Sequence, residues 1–176
     1  FVKNILQIPD TMQRVLEQKN DIHKIAREML EAKDAFMLGR GLDYSILLEG
    51  ALKLKEVSYI HTEAYASGEL KHGTIALITE DTPVVAVVTQ ERLNDKELSN
   101  IREVQSRGAS VVLFVKESFT MADAEYADVF LLPEMADEFM VFPASAALQL
   151  LAYYVSMDKG LDVDKPRNLA KVVTVE

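Results

Sequence analysis

Apolar positions recur at helical spacing through residues 9–33: Met12, Val15 and Leu16, then Ile22, Ile25, Met29 and Leu30. Asp10 or Thr11 is placed to cap the start, and the pattern breaks near Asn20-Asp21. At Ala35-Phe36-Met37-Leu38 the pattern becomes a short apolar run closed by Gly39-Arg40-Gly41, which predicts a strand and a glycine turn. A second helix should follow, free of Pro and with Ile46, Leu47, Leu54 and Val57 on one face. Residues 74–78 are apolar but too short to assign to helix or strand. Residues 83–89 (PVVAVVT) and 110–115 (SVVLFV) are continuous and β-branched, the mark of strands buried on both faces. Between them Leu93, Leu98, Ile101 and Val104 predict a helix that stops at Gly108. A shorter strand at 128–132 is closed by Pro133. Residues 144–157 are apolar almost all round and predict a well-buried helix ending at Gly160.

Strands alternating with helices in this order predict an α/β domain: a three-layer α/β/α sandwich around a mainly parallel sheet of about five strands. Right-handed crossovers place the C-terminal ends of such strands, and any ligand crevice, on one edge. Gly39-Arg40-Gly41 falls at that edge. The 176 residues amount to one ordinary domain, and 49% hydrophobic with 27% charged content is that of a soluble globular chain. A net charge of −9 argues against a nucleic-acid partner, which needs a basic footprint. No apolar run approaches the ~20 residues of a membrane span and no leader pattern opens the chain, so the cytoplasm is the expected compartment. Cysteine is absent, which removes disulfides, thiolate metal sites and a cysteine nucleophile. The three histidines are scattered, so no metal and no cofactor is expected. Opening on Phe1 rather than Met reads as a piece of something longer.

Candidate chemistry lies in three places. Glu49, Lys53 and Glu56 are four and then three residues apart, stacking acid, base and acid along one stripe of the second helix. Alone, such a triplet is an ordinary solvated face. It is followed, however, by Gly68 and Gly73 bracketing Glu69-Leu70-Lys71-His72, a short segment suited to proton transfer. Gly39-Arg40-Gly41 is a strand–glycine–helix turn whose backbone N–H groups can face an anion, although two glycines mostly just permit a tight connection. In the tail, Pro166-Arg167-Asn168 forms a turn ahead of Leu169-Ala170-Lys171. His23 reads as a surface residue and His61 as structural.

The stretch LEGALKLKEVSYIHTEAYASGELKHG, with the tail DKPRNLAKVVTVE, resembles the sugar isomerase (SIS) half of the glucosamine-6-phosphate synthase family. The resemblance covers essentially the whole chain and implies a single SIS domain, the second of two, over residues 1–176 with a catalytic tail at 161–176. It departs from the family pattern at Thr74, where a proline is usual, and at Val172, where a serine is usual. The resemblance implies ketose–aldose isomerisation of fructose 6-phosphate and its amination to glucosamine 6-phosphate. It assigns ring opening to His72 acting in a dimer partner's site, C1–C2 proton transfer to Glu56, a supporting base to Lys53 and a Schiff base to Lys171. Arg40, Gly41 and Ala170 become sugar-contacting positions. The implied partners are a second copy, a first SIS domain holding the phosphate, and a glutaminase domain. Two other readings stay open on the residues alone: a non-catalytic sugar-phosphate-binding module, and a related amino-sugar-phosphate deglycase or deaminase.

Overall fold

Five strands, β1 (Asp34–Gly39), β2 (His61–Ala66), β3 (Pro83–Val88), β4 (Ser110–Lys116) and β5 (Asp128–Leu132), form one sheet in the order β2-β1-β3-β4-β5. Every neighbouring pair is parallel. This is seen in a computed structural model that describes residues 1–119 and 128–169. Side chains alternate across the sheet with the two-residue period of a strand. Ala35, Met37, Val85, Val87, Val112, Phe114, Phe130 and Leu132 face one layer; Phe36, Leu38, Val84, Ala86, Val88, Val111, Leu113 and Val115 face the other. Both sets are buried, which is why β3 and β4 read as unbroken apolar runs.

The first layer is built by α1 (Val2–Glu17), α2 (Lys19–Glu28), α3 (Leu42–Ser58) and α5 (Val141–Asp158). α5 lies among the other three, which explains its apolar circumference. Together with the turn before it (Asp137–Asp158, mean hydropathy 1.4) it has the length and composition of a membrane span, contrary to the expectation that no stretch would. Here it is the core helix. α3 and α5 cross closely because Gly50 has no side chain: a Cβ there would sit 2.8 Å from Leu148 Cδ1. The second layer is thinner. It consists of α4 (Asn94–Gln105) and the segment 69–78, which bury Ile101, Val104, Leu70 and Ile78 against the sheet.

Two stretches carried no assignment and one local reading needs correction. β2 carries no apolar run, and its sequence His-Thr-Glu-Ala-Tyr-Ala gave no strand signal, because it is an edge strand with a half-exposed outer face. Residues 74–78 supply no strand; Thr74–Leu77 is a 3₁₀ turn. The first helix starts at Val2 rather than near Pro9, and Pro9 lies inside it at the cost of one backbone hydrogen bond.

Candidate functional site

Because all five strands run the same way, their C-terminal ends share one edge, and α3 starts from that edge. Arg40 and Gly41 connect β1 to α3, with Gly41 as the N-cap at φ 59°. Thr89 and Gln90 leave β3, and Ser67 and Gly68 leave β2 for the 3₁₀ turn Glu69–His72. The strand order reverses between β1 and β3, where doubly wound sheets hold ligands. A crevice of about 470 Å³ lies there, lined by Gly41, Leu42, Ser45, Gln90, Arg92, Asp137 and Glu138.

This edge holds two buried carboxylates that the sequence did not single out. Asp43 accepts hydrogen bonds from the Thr89 backbone N–H (2.7 Å) and Oγ1 (2.5 Å). Burial pushes its carboxyl up to about 6 despite those bonds. Glu97, on α4, is 2% exposed and accepts a 2.6 Å bond from Ser67 Oγ. Burial pushes it up to about 7, against the pull of Ser67 and of Arg40, whose Nε lies 3.6 Å from Glu97 Oε2. Asp43 carried one weak signal, an acid in the first turn of a helix behind a glycine turn. Glu97 carried none, since it stands in an unremarkable polar helix.

The charged stripe stands on the outer side of α3. Lys53 Nζ is 2.7 Å from Glu56 Oε2 and 3.6 Å from Glu49 Oε1. The Glu56 hydrogen bond outweighs desolvation and holds the Lys53 ammonium above its usual range, so in this arrangement Lys53 is a cation beside a carboxylate. Lys53, Val57, Gln149, Ala152, Tyr153 and Val163 line a hollow of about 100 Å³. Val163 belongs to the segment after α5, which returns to this end of α3. There the Arg167 backbone N–H donates to Tyr59 Oη at 2.8 Å, and the Arg167 guanidinium lies 4.1 Å above the Tyr59 ring. Tyr59 caps α3 in the left-handed conformation, φ 61°. The tail is thus docked three residues beyond Glu56. Ala170 and Lys171 lie outside the described residues.

The expected site residues therefore fall in two groups. Lys53, Glu56 and the docked tail gather toward the C-terminal end of α3, while Arg40, Gly41 and His72 stand at the other end of the sheet. A helix rises ~1.5 Å per residue, so Leu42 and Glu56 are about 20 Å apart along α3. His72 is 73% exposed and bonds Glu69 at 3.1 Å. His61 contacts Asp34 at 2.9 Å and ties the starts of β1 and β2. His23 is half-buried, bonded to Asp158 at 2.8 Å and stacked on Tyr154. Among the described residues no group of His, Asp and Glu side chains is placed to hold a metal ion.

Fold and site define a doubly wound α/β domain with polar groups at both ends of its first crossover helix. The chain belongs to the SIS domain family, whose model matches residues 28–157. It is 49% identical over 176 residues to a glutamine–fructose-6-phosphate aminotransferase (isomerizing) of Caldanaerobacter subterraneus subsp. tengcongensis, covering 100% of this chain and 29% of that protein. It is 53% identical over 173 residues to the protein of the same name from Clostridium acetobutylicum, covering 98% of this chain and 28% of that one. The chain spans under a third of the length of these relatives. Among solved structures it is similar to the C-terminal domain of glucosamine-fructose-6-phosphate aminotransferase from Francisella tularensis, with a TM-score of 0.88 and 41% identity over 93% of this chain and 46% of that one.

Proposed function

We propose that this chain is the second SIS unit of an isomerising glutamine–fructose-6-phosphate aminotransferase, and that it supplies the groups for ketose–aldose isomerisation. The observation that carries the reading is the stripe Glu49–Lys53–Glu56 with the tail docked beside it on Tyr59, in a chain about half identical throughout to two such enzymes. The described part of the tail docks on Tyr59 through Arg167, four positions ahead of Lys171 in the sequence. Lys171, once deprotonated, forms an imine with C2 of the open-chain sugar, releasing water, and ammonia then displaces it. Glu56 removes a proton from C1 and returns it to C2, while the O1 hydroxyl gives up its proton and the imine nitrogen gains one, giving the 2-amino aldose. Lys53 holds the carboxylate in place and, as a cation, steadies negative charge that develops on the sugar oxygens. A non-catalytic sensor or a deaminase is not favoured, since the relatives near 50% identity carry the aminotransferase name.

His72 cannot serve Glu56 of its own chain, because the sheet and α3 separate them. It serves a second copy, so the enzyme works as a dimer, in the cytoplasm. The phosphate is held outside this chain: of the cations at the strand ends, Arg40 is drawn to Glu97 and Lys116 is paired with Asp137, Glu91 and Glu134. The test is complementation in the full-length enzyme. His72→Ala and Glu56→Gln should each keep only a small residual rate, and subunits of the two mixed and reassembled should regain activity well above either parent. No recovery on mixing would place both residues in one subunit's site and overturn the split reading.

A further inference from the structure

We propose that Glu97, acting through Ser67 and Arg40, is a positioning residue for His72; the proposal rests on the reading of His72 given above. The loop that carries His72 is gripped from its first residue. The Ser67 backbone N–H donates to the Gly39 carbonyl at 3.1 Å, which continues the β1–β2 ladder by one bond. Ser67 Oγ donates to Glu97 Oε2 at 2.6 Å and accepts from Asn100 Nδ2 at 3.0 Å. The next residue is Gly68, and the Arg40 guanidinium occupies the space a side chain would need: a Cβ there would lie 2.8 Å from Arg40 Nη2. Arg40 is held over Gly68 by Glu97, whose Oε2 takes both the Ser67 bond and the ion pair at 3.6 Å. Beyond Gly68, Leu70 plugs into the core and Lys71 is ion-paired with Glu103. Glu97, Asn100 and Glu103 lie three residues apart along one stripe of α4, so a single helix face holds the loop at both ends. The residue that follows this clamp is the exposed His72.

An apolar side chain would fill the place of Glu97 at less cost, because its Oε1 is buried with no hydrogen-bond partner among the described residues, as is Arg40 Nε. Contacts within α4 do not explain that cost. The aim of the loop does: Glu97 fixes where Ser67 and Gly68 sit, and four residues later the chain presents an imidazole to a neighbouring subunit. A shift of an ångström in a group brought from another chain is enough to lose the proton transfer.

The experiment uses the full-length aminotransferase, with steady-state isomerisation of fructose 6-phosphate assayed above neutral pH. Glu97→Gln keeps the volume and an acceptor for Ser67 but removes the charge that holds Arg40. It should lower kcat about tenfold or more and leave KM within about twofold, since Arg40 is engaged by Glu97 and Gly68 rather than set free to hold the sugar. In a His72→Ala background the same substitution should cost nothing further, which a merely structural role would not produce. Ser67→Ala, which breaks the other arm, should behave in the same way, and it carries the test if Glu97→Gln does not fold. An unchanged kcat for both variants while His72→Ala keeps only its residual rate overturns the positioning role alone. Equal losses with and without His72 overturn it as well. Full activity in His72→Ala overturns the underlying reading of the site.

Discussion

Asp43 and Glu97 are the two residues whose chemistry depends most on where the fold puts them. Both carboxyls are pushed up by burial, Asp43 from 3.8 to about 6 and Glu97 from 4.5 to about 7. Between its unfolded and folded values each group keeps in the folded state a proton that the unfolded chain has released. Their contribution to stability is therefore fully present at the acid end and falls as pH rises from about 4 to about 7. For Glu97 alone the loss is on the order of 3 kcal/mol. Glu97→Gln should remove most of this fall, so the urea midpoints of variant and parent should diverge in the variant's favour as pH rises from about 4.5 to about 8. Parallel curves would mean that Arg40 compensates the buried charge in full. At Lys53 the balance runs the other way, because an exposed flank and a 2.7 Å partner keep the ammonium charged.

Among the elements, α3 has the most to do. It leaves the glycine turn at the strand ends, crosses the sheet beside α5 and ends at Tyr59, where the tail docks. Its inner face is set by Leu47, Ala51 and Leu54, and its outer face carries Glu49, Lys53 and Glu56. The distance from this stripe to the core depends on how closely α3 and α5 cross, and Gly50 sets that at Leu148. Gly50→Val should lower stability by about 2 to 3 kcal/mol through overpacking. Pairing it with Leu148→Ala, which opens room at the same spot, should cost less than the sum of the two single changes in urea unfolding. Additive losses would show that Gly50 does not control the crossing.

For the molecule as a whole, the candidate site residues stand at opposite ends of the sheet, Arg40, Gly41 and His72 at one and Lys53 and Glu56 at the other; under the proposed function a complete site therefore takes a second copy of this domain and a further domain for the phosphate. The carboxylates at the strand ends also make the edge a poor host for a phosphate dianion. The isolated chain should therefore bind fructose 6-phosphate weakly by calorimetric titration and turn none of it over, whereas a chain extended to include a preceding SIS unit should bind it well. Micromolar affinity in the isolated chain would place the phosphate site within these residues. Under the proposed mechanism, losing that anchor should reduce rate as well as affinity, since it would position C1 and C2 against Glu56.

The layers of this fold were legible along the chain because strands buried on both faces and a helix buried all round cannot be built from anything but long apolar runs, as at 83–89, 110–115 and 144–157. The stripe of Glu49, Lys53 and Glu56 was legible for a similar reason, since helical spacing alone puts the three side chains together. β2 was not, because an edge strand with one half-exposed face needs no such run. Nor was the clamp of Glu97, Ser67 and Arg40, whose members come from α4 and from the ends of β2 and β1, about 30 positions apart and more in the sequence. Their association depends on parallel strands ending at one edge, and no local pattern encodes that. The same geometry separates His72 from Glu56. Sixteen residues apart along the chain, they lie at opposite ends of the sheet, because β2 runs back along its length between them.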